Sequence, residues 1–282
     1  MYPASAHDDA NALPPGADGA AEQLIRPAGL KETDDFIDDV LTRPLRILYR
    51  DENYIGVFKP AGLVVHRGKM TQLDEPVLLQ TLRDQIDQFV YPVHRLDRPT
   101  AGLILFALNS VAAAKMVELF ASRQVTKHYQ ALVRGFTPDS GTIDRPLREK
   151  YGQEMFPENT ESNAEQEAIT KYSVLARYQV PWPLADFPST RYSLLEIQPL
   201  TGRWHQIRRH LNHLAYPVVG DHRHGDHRYN QMVFARSGVY RMMLTAMRLD
   251  FRHPYTNELV SLTAHRGSEF DRLLDLIQPY CI

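Results

Sequence analysis

Cysteine is almost missing: Cys281, beside the C-terminus, is the only one in 282 residues. That excludes an intrachain disulfide and any zinc site built on several cysteines. It fits a reducing, cytoplasmic setting. No run of about 18 apolar residues occurs, so no transmembrane helix is expected. The first twenty residues, MYPASAHDDANALPPGADGA, lack a basic segment followed by an apolar one and do not read as a secretory signal. GxGxxG and GxxxxGK[ST] are both missing, so nothing points to a nucleotide cofactor. There is no internal repeat and no alternation of strand and helix of the dinucleotide-binding kind.

What is present is ordinary in bulk and uneven in charge. Hydrophobic residues make up 43% and charged residues 23%, enough for a substantial core. The net charge of −2 splits into −6 over residues 1–44 and +4 over 45–282. Residues 1–44 are rich in Ala, Pro, Gly and Asp and read as a mostly disordered acidic extension, with a short helix near its end. Residues 45–282 read as one compact domain. Within it, 191–228 carries six arginines against three acids, and six histidines. A mildly basic body with one cationic segment is compatible with phosphate binding.

Strand patterns outnumber helical ones. LRILYR (45–50), YIGVF (54–58), the end of KPAGLVVH (59–66), LILFAL (103–108), KHYQALVRG (127–135), KYSVLARY (171–178) and RYSLLEIQP (191–199) are β-rich runs bounded by turn residues. RMMLTAMRLDF (241–251) and LVSLTA (259–264) suggest a hairpin across HPYTNE. Helical spacing marks 76–86, 109–124, the basic stretch after Thr201-Gly202 to Leu214, and 268–277. Asn109 or Ser110 caps the second of these, with Val111, Met116, Val117, Leu119 and Phe120 as its buried face, and Ser268 is a possible cap of the last. Residues 137–168 are polar and weakly patterned, and read as loops around short extended pieces. Short turns between neighbouring strands favour antiparallel pairing. The fold class expected is α/β: a mixed, mostly antiparallel sheet flanked by helices.

HRLDRPTAG (94–102) puts a carboxylate, Asp97, between Arg95 and Arg98 at the mouth of an apolar strand. Taken alone, it fits a salt-bridged surface turn as well as a functional site. Tyr129, taken alone, reads as core packing in a strand. HRHGDH (222–227) offers His222, His224 and His227 with Asp221 or Asp226 as zinc ligands in principle. The run lies in a Gly-Asp loop, however, with spacing unlike HExxH on a helix, and a polar or phosphate-contacting loop is the better reading.

In this order and spacing, KPAGLVVH, HRLDRPTAG, KHYQALVRG and TGRWHQIRRHL resemble the pseudouridine synthase family named for ribosomal large-subunit pseudouridine synthase A, over about 45–265. RRHL with the following HL (208–214) and GDHRHGD (220–226) are similar to the branch of it that acts on transfer RNA. The family's optional N-terminal RNA-binding domain is not recognisable.

The resemblance implies the pseudouridine synthase fold, an isomerase that needs neither metal nor cofactor, and RNA as partner. The expected target is tRNA uridine 65, at the base of the T stem. It implies Asp97 as the essential carboxylate, nucleophile or base, with Arg208 as its buried ionic partner keeping it ionised. Arg95 would fill the gap left by the flipped nucleotide, and Tyr129 would pack on the uracil. Arg98 would contact phosphate. Arg203, His205, Arg209 and His210 would supply an RNA-facing surface from which some members touch RNA. Lys59 would support the site or touch backbone phosphate. No protein partner and no membrane contact are expected, and a monomer is the default. Two rivals stand beside this reading: the same chemistry on 23S ribosomal RNA, and a protein that binds RNA without catalysis. A zinc hydrolase is a weaker third.

Overall fold

A computed structural model describes residues 44–67, 75–148 and 164–282. The acidic extension, apart from Pro44, lies outside the described residues. The first elements are β1 (Ile47–Arg50), β2 (Tyr54–Lys59), α1 (Leu78–Ile86), β3 (Tyr91–Pro92), β4 (Ala101–Ala107), α2 (Ser110–Ala121) and β5 (Thr126–Arg134). Then come β6 (Ser140–Asp144), β7 (Leu147–Arg148), β8 (Glu165–Gln166), β9 (Ile169–Val180), β10 (Thr190–Pro199) and α3 (Gln206–His213). The chain closes with α4 (His227–Ser237), β11 (Leu244–Arg252), β12 (Leu259–Thr263), α5 (Ser268–Ile277) and a short 3-10 turn at Gln278–Tyr280.

A ten-stranded sheet runs β1-β2-β4-β11-β5-β10-β9-β6, with β12 beside β11 and β3 beside β4. All its pairings are antiparallel except β4 with β11. The mixed, mostly antiparallel α/β architecture is therefore as expected. β4 has both faces covered, which is why it reads as an unbroken apolar run. Ile104 and Phe106 pack with Leu78 and Leu82 of α1. Leu103 and Leu105 pack with Ala112 and Met116 of α2. Alternate residues of β5 and β10 are divided in the same way. Ala131, Val133, Leu195 and Ile197 meet Ile207 and Leu211 of α3. Leu132 and Leu194 meet Val233 of α4 and Phe270, Leu273 and Leu274 of α5.

The one parallel pairing within this ten-stranded sheet lies directly after the Asp97 loop. β11 crosses the start of β4 at Thr245↔Ala101 and Ala246↔Gly102. A Cβ on Gly102, at φ +113°, would sit 2.2 Å from the Ala246 carbonyl oxygen. The last glycine of HRLDRPTAG is thus required by close backbone approach.

Local readings differ in four places. The end of KPAGLVVH is not a strand but makes one isolated bridge, Val64 to Val77. In α2 the buried residues are Ala112 and Met116, whereas Val111 and Val117 are exposed. Met116 of the expected face is buried, and Leu119 and Phe120 pack partly buried against the same cluster. Asn109 is its cap, accepting from the Ala112 N–H at 2.8 Å. Ser268 is the first residue of α5, and Gly267 takes the cap position with no side-chain bond. α4 was not foreseen: its apolar stripe is thin, and its start is fixed by Asp226, which accepts from the Arg228 and Tyr229 N–H groups.

Candidate active site

The loop joining β3 to β4 carries Asp97. It is tightened by the Thr100 N–H donating to the Asp97 carbonyl at 3.0 Å. Across the cleft, α3 starts later than its basic pattern suggests. The Gln206 side chain accepts from the Arg203 N–H and the Thr201 hydroxyl and donates to the Ile169 carbonyl. These bonds hold 201–205 as a turn before the helix. The turn and helix bring Arg208 to Asp97, 111 residues away in the chain, with Nη1 donating to Oδ2 at 3.2 Å. The expected pair therefore forms.

Arg208 has a second and tighter partner that was read from the sequence only as a possible zinc ligand. Its Nε and Nη2 donate to the two carboxylate oxygens of Asp221, each at 2.7 Å. Arg208 is 4% exposed and Asp221 1%. A planar guanidinium is suited to such a fork. Asp221 also accepts from the Arg223 and His224 N–H groups. Its oxygens are thus engaged, which leaves it poorly placed to ligate a metal. Burial alone would raise its pKa, but the Arg208 fork overrides this and holds it below the usual carboxylate range.

Asp97 is in the opposite condition. Its side chain is 21% exposed, within the cleft. Burial raises its pKa, and the charges of Arg208, Arg95 and Lys59 offset only part of that rise. This corrects the expectation that the arginine would dominate. Arg208 reaches Asp97 Oδ2 through Nη1 alone, at 3.2 Å, because its Nε and Nη2 fork is engaged by Asp221. The sign is definite: a raised pKa means that Asp97 loses its charge as pH falls at a higher pH than a free aspartate, whose value is about 3.9. The acid limb of kcat/KM is therefore expected above about pH 4, reporting the free enzyme. A pH–rate profile checks it, and a limb at or below that value would reject the assignment.

The cleft beside Asp97 has a volume of about 590 Å³ and is lined by Arg95, Leu96, Asp97, Lys127, Tyr129, residues 199–208 and Leu244, among others. Tyr129 stands on β5, half-buried, between the clusters under α1 and α3. Both its burial and the nearby Asp97 charge push its phenol pKa up. It stays a neutral hydroxyl and ring facing the cleft. Arg95 is exposed at the cleft wall. Arg203 and His205 also line it.

Four expected residues lie elsewhere. Lys59 is fully buried, and its ammonium donates to the carbonyls of Pro60, Leu63 and Arg98 at 2.7–2.9 Å. A phosphate contact is thereby excluded, because all three of its N–H donors are spent on carbonyls. Lys59 instead ties the KPAG turn to the Asp97 loop. Arg98 lies outside the cleft lining and pairs with Glu75 at 2.8 Å, with Nε on the Gly62 carbonyl. Arg209 donates to the Arg148 carbonyl and lies outside the cleft lining. His210 is fully buried between Thr170 and the Arg145 carbonyl, so it cannot face RNA. One cleft residue was missed: Trp204, stacked on His205 with ring centroids 3.8 Å apart and flanked by Arg223 at 4.8 Å. Two tryptophans in the whole chain were the available signal.

Comparison with known proteins follows the same residues. The family model described as RNA pseudouridylate synthase matches residues 53–213. The tRNA pseudouridine synthase C of Pasteurella multocida is 44% identical over 236 residues, covering 84% of this chain and 96% of its own. Its counterpart in Vibrio vulnificus is 41% identical over 231 residues, covering 82% and 94%. Among solved structures, human RNA pseudouridylate synthase domain containing 4 superposes with a TM-score of 0.63 at 26% identity, covering 86% of this chain and 96% of that one. Human RNA pseudouridylate synthase domain containing 1 gives 0.60 at 25%, covering 83% and 94%.

Proposed function

The chain belongs to the RNA pseudouridylate synthase family, and from that premise we propose that it converts uridine 65 of tRNA to pseudouridine, with Asp97 acting on the flipped nucleotide. The observation that carries this reading is the Asp97 carboxylate in a nucleotide-sized cleft, bonded to Arg208 of α3. The choice of tRNA and of uridine 65 rests on the likeness to tRNA pseudouridine synthase C over most of both chains.

The reaction is an isomerisation. The N1–C1′ bond of uridine breaks and a C5–C1′ bond forms; C5 gives up its proton and N1 gains one. Atoms and electrons balance within the nucleotide, so no oxidant is consumed. A stacked uracil is out of reach, and the nucleotide has to leave the helix at the cost of a few kcal/mol. Arg95, exposed at the cleft wall, fills the gap with its planar guanidinium in this reading. Inside the cleft, the Tyr129 ring provides a stacking surface and Asp97 faces the sugar and base edge. Arg203 supplies positive charge at the entrance, where phosphates would run.

A mass-spectrometric pseudouridine assay on unmodified tRNA transcripts tests this. Product at uridine 65 is expected. Product elsewhere in tRNA would keep the isomerase and reject the target, whereas product only on 23S ribosomal RNA would move the substrate to the ribosome.

A further inference from the structure

His205 is held in an unusual way. It precedes α3 with φ +50° and ψ 31°, a left-handed conformation that is unfavourable for a non-glycine residue. Its ring is fixed on two sides. Trp204 stacks on it with an interplanar angle of 21°. His224 approaches edge-on, its Nε2 2.8 Å from His205 Nδ1. The remaining nitrogen, His205 Nε2, lies 3.8 Å from Asp97 Oδ2 in the cleft. His224 is itself anchored by its backbone N–H donating to Asp221 Oδ1 at 3.0 Å. Hydrogen bonds link Asp97, Arg208, Asp221, His224 and His205, and His205 Nε2 returns to within 3.8 Å of Asp97 Oδ2, longer than a hydrogen bond.

One proton sits on the bond between the two imidazoles, and there are two ways to place it. If His205 donated from Nδ1, its bare Nε2 would face the carboxylate oxygen, acceptor against acceptor. If His224 donates from Nε2, His205 carries its own proton on Nε2 and turns a donor toward that oxygen. Electrostatics favours the second. The groups around His205 are Arg208, His224, Asp221, Arg223 and Asp97. Burial first, then the Arg208 charge, pushes its pKa down to about 2. It stays neutral at working pH, and its tautomer is what matters.

We infer that His224 is a positioning residue for the isomerisation: it donates to His205 Nδ1 and so keeps a proton on His205 Nε2, a hydrogen-bond donor aimed at the Asp97 carboxylate and at the oxygens of the nucleotide seated there. The inference rests on the cleft being the uridine site.

Two measurements on the full chain test it. Nitrogen-15 NMR of histidine-labelled protein, with His205→Gln for assignment, is expected to show His205 Nε2 protonated and Nδ1 bare. In the tRNA assay, His224→Leu is expected to lower kcat about 10²-fold, the scale of losing one aimed donor. KM should stay within about twofold. His224→Gln, whose amide can donate, should restore most of the rate. A proton on His205 Nδ1 in the wild type overturns the inference, as does a folded His224→Leu protein with unchanged kcat. Should the wild type make no product on any RNA, the proposed function falls, while the NMR result still decides the tautomer.

Discussion

Asp97→Asn is expected to eliminate pseudouridine formation, by about 10⁴-fold or more, while leaving RNA affinity and the fold intact. The loss is expected to be of the size seen when an essential reacting group is removed. An amide has nearly the same shape but neither the charge nor the basicity that the reaction needs. Stability is expected to hold or rise slightly. Burial raises the folded-state pKa of Asp97. Above the unfolded value of about 3.9, its ionised form therefore costs the folded protein free energy, and a neutral isostere removes that cost. Arg208 is not stranded, because Asp221 still holds its fork. Product assay, RNA binding and thermal midpoint on one preparation check all three parts. Retained product would remove Asp97 from the mechanism. Lost RNA binding with lost product would make the residue structural.

Arg208→Ala is expected to damage both stability and activity, at about 3–5 kcal/mol for the first. The size comes from Asp221, which is 1% exposed and would be left as a buried, unpaired carboxylate. Arg208→Lys keeps the charge and loses the fork, so it should fall between wild type and alanine. The pH dependence identifies the cause. In the wild type Asp221 has a depressed pKa, so its stabilising contribution is present above the unfolded value and fades as pH falls through the folded one. Without the arginine, burial raises that pKa instead. The stability gap between the two proteins should thus be widest near neutral pH and narrow toward pH 4 and below. Adding Asp221→Asn to Arg208→Ala should recover part of the stability and none of the activity. Denaturant unfolding across pH measures this, and a constant gap would remove Asp221 from the account.

Local order carried much of the fold in the sequence. β2, β4, β5 and β10 were legible as apolar runs bounded by turn residues, and α1 by its leucines at helical spacing. Even these were open in detail. In α2 Met116, Leu119 and Phe120 pack as their spacing suggested, with Ala112 added, whereas Val111 and Val117 are exposed. α4 left no clear pattern, since its covering of the sheet depends on few residues, such as Val233.

The site divides along the same line. The sequence by itself determined the chemistry at hand: an aspartate in HRLDRPTAG, a tyrosine in KHY, a basic segment around Arg208, and a single cysteine, which offers no cysteine cluster. It also determined Gly102, although not why a glycine stands there. Only the tertiary structure decided which charges meet. Lys59 and Arg98 read as cations available to phosphate, yet backbone carbonyls consume the first and Glu75 holds the second. Arg208 reads as a partner of Asp97, yet its fork belongs to Asp221, which leaves Asp97 the weaker share of the positive charge. The physical reason is range. Strand and helix patterns arise between residues a few positions apart, and motifs record them. Burial and ion pairing arise between segments that only the closed sheet and α3 bring together, and they set which carboxylate stays stable and which is left reactive.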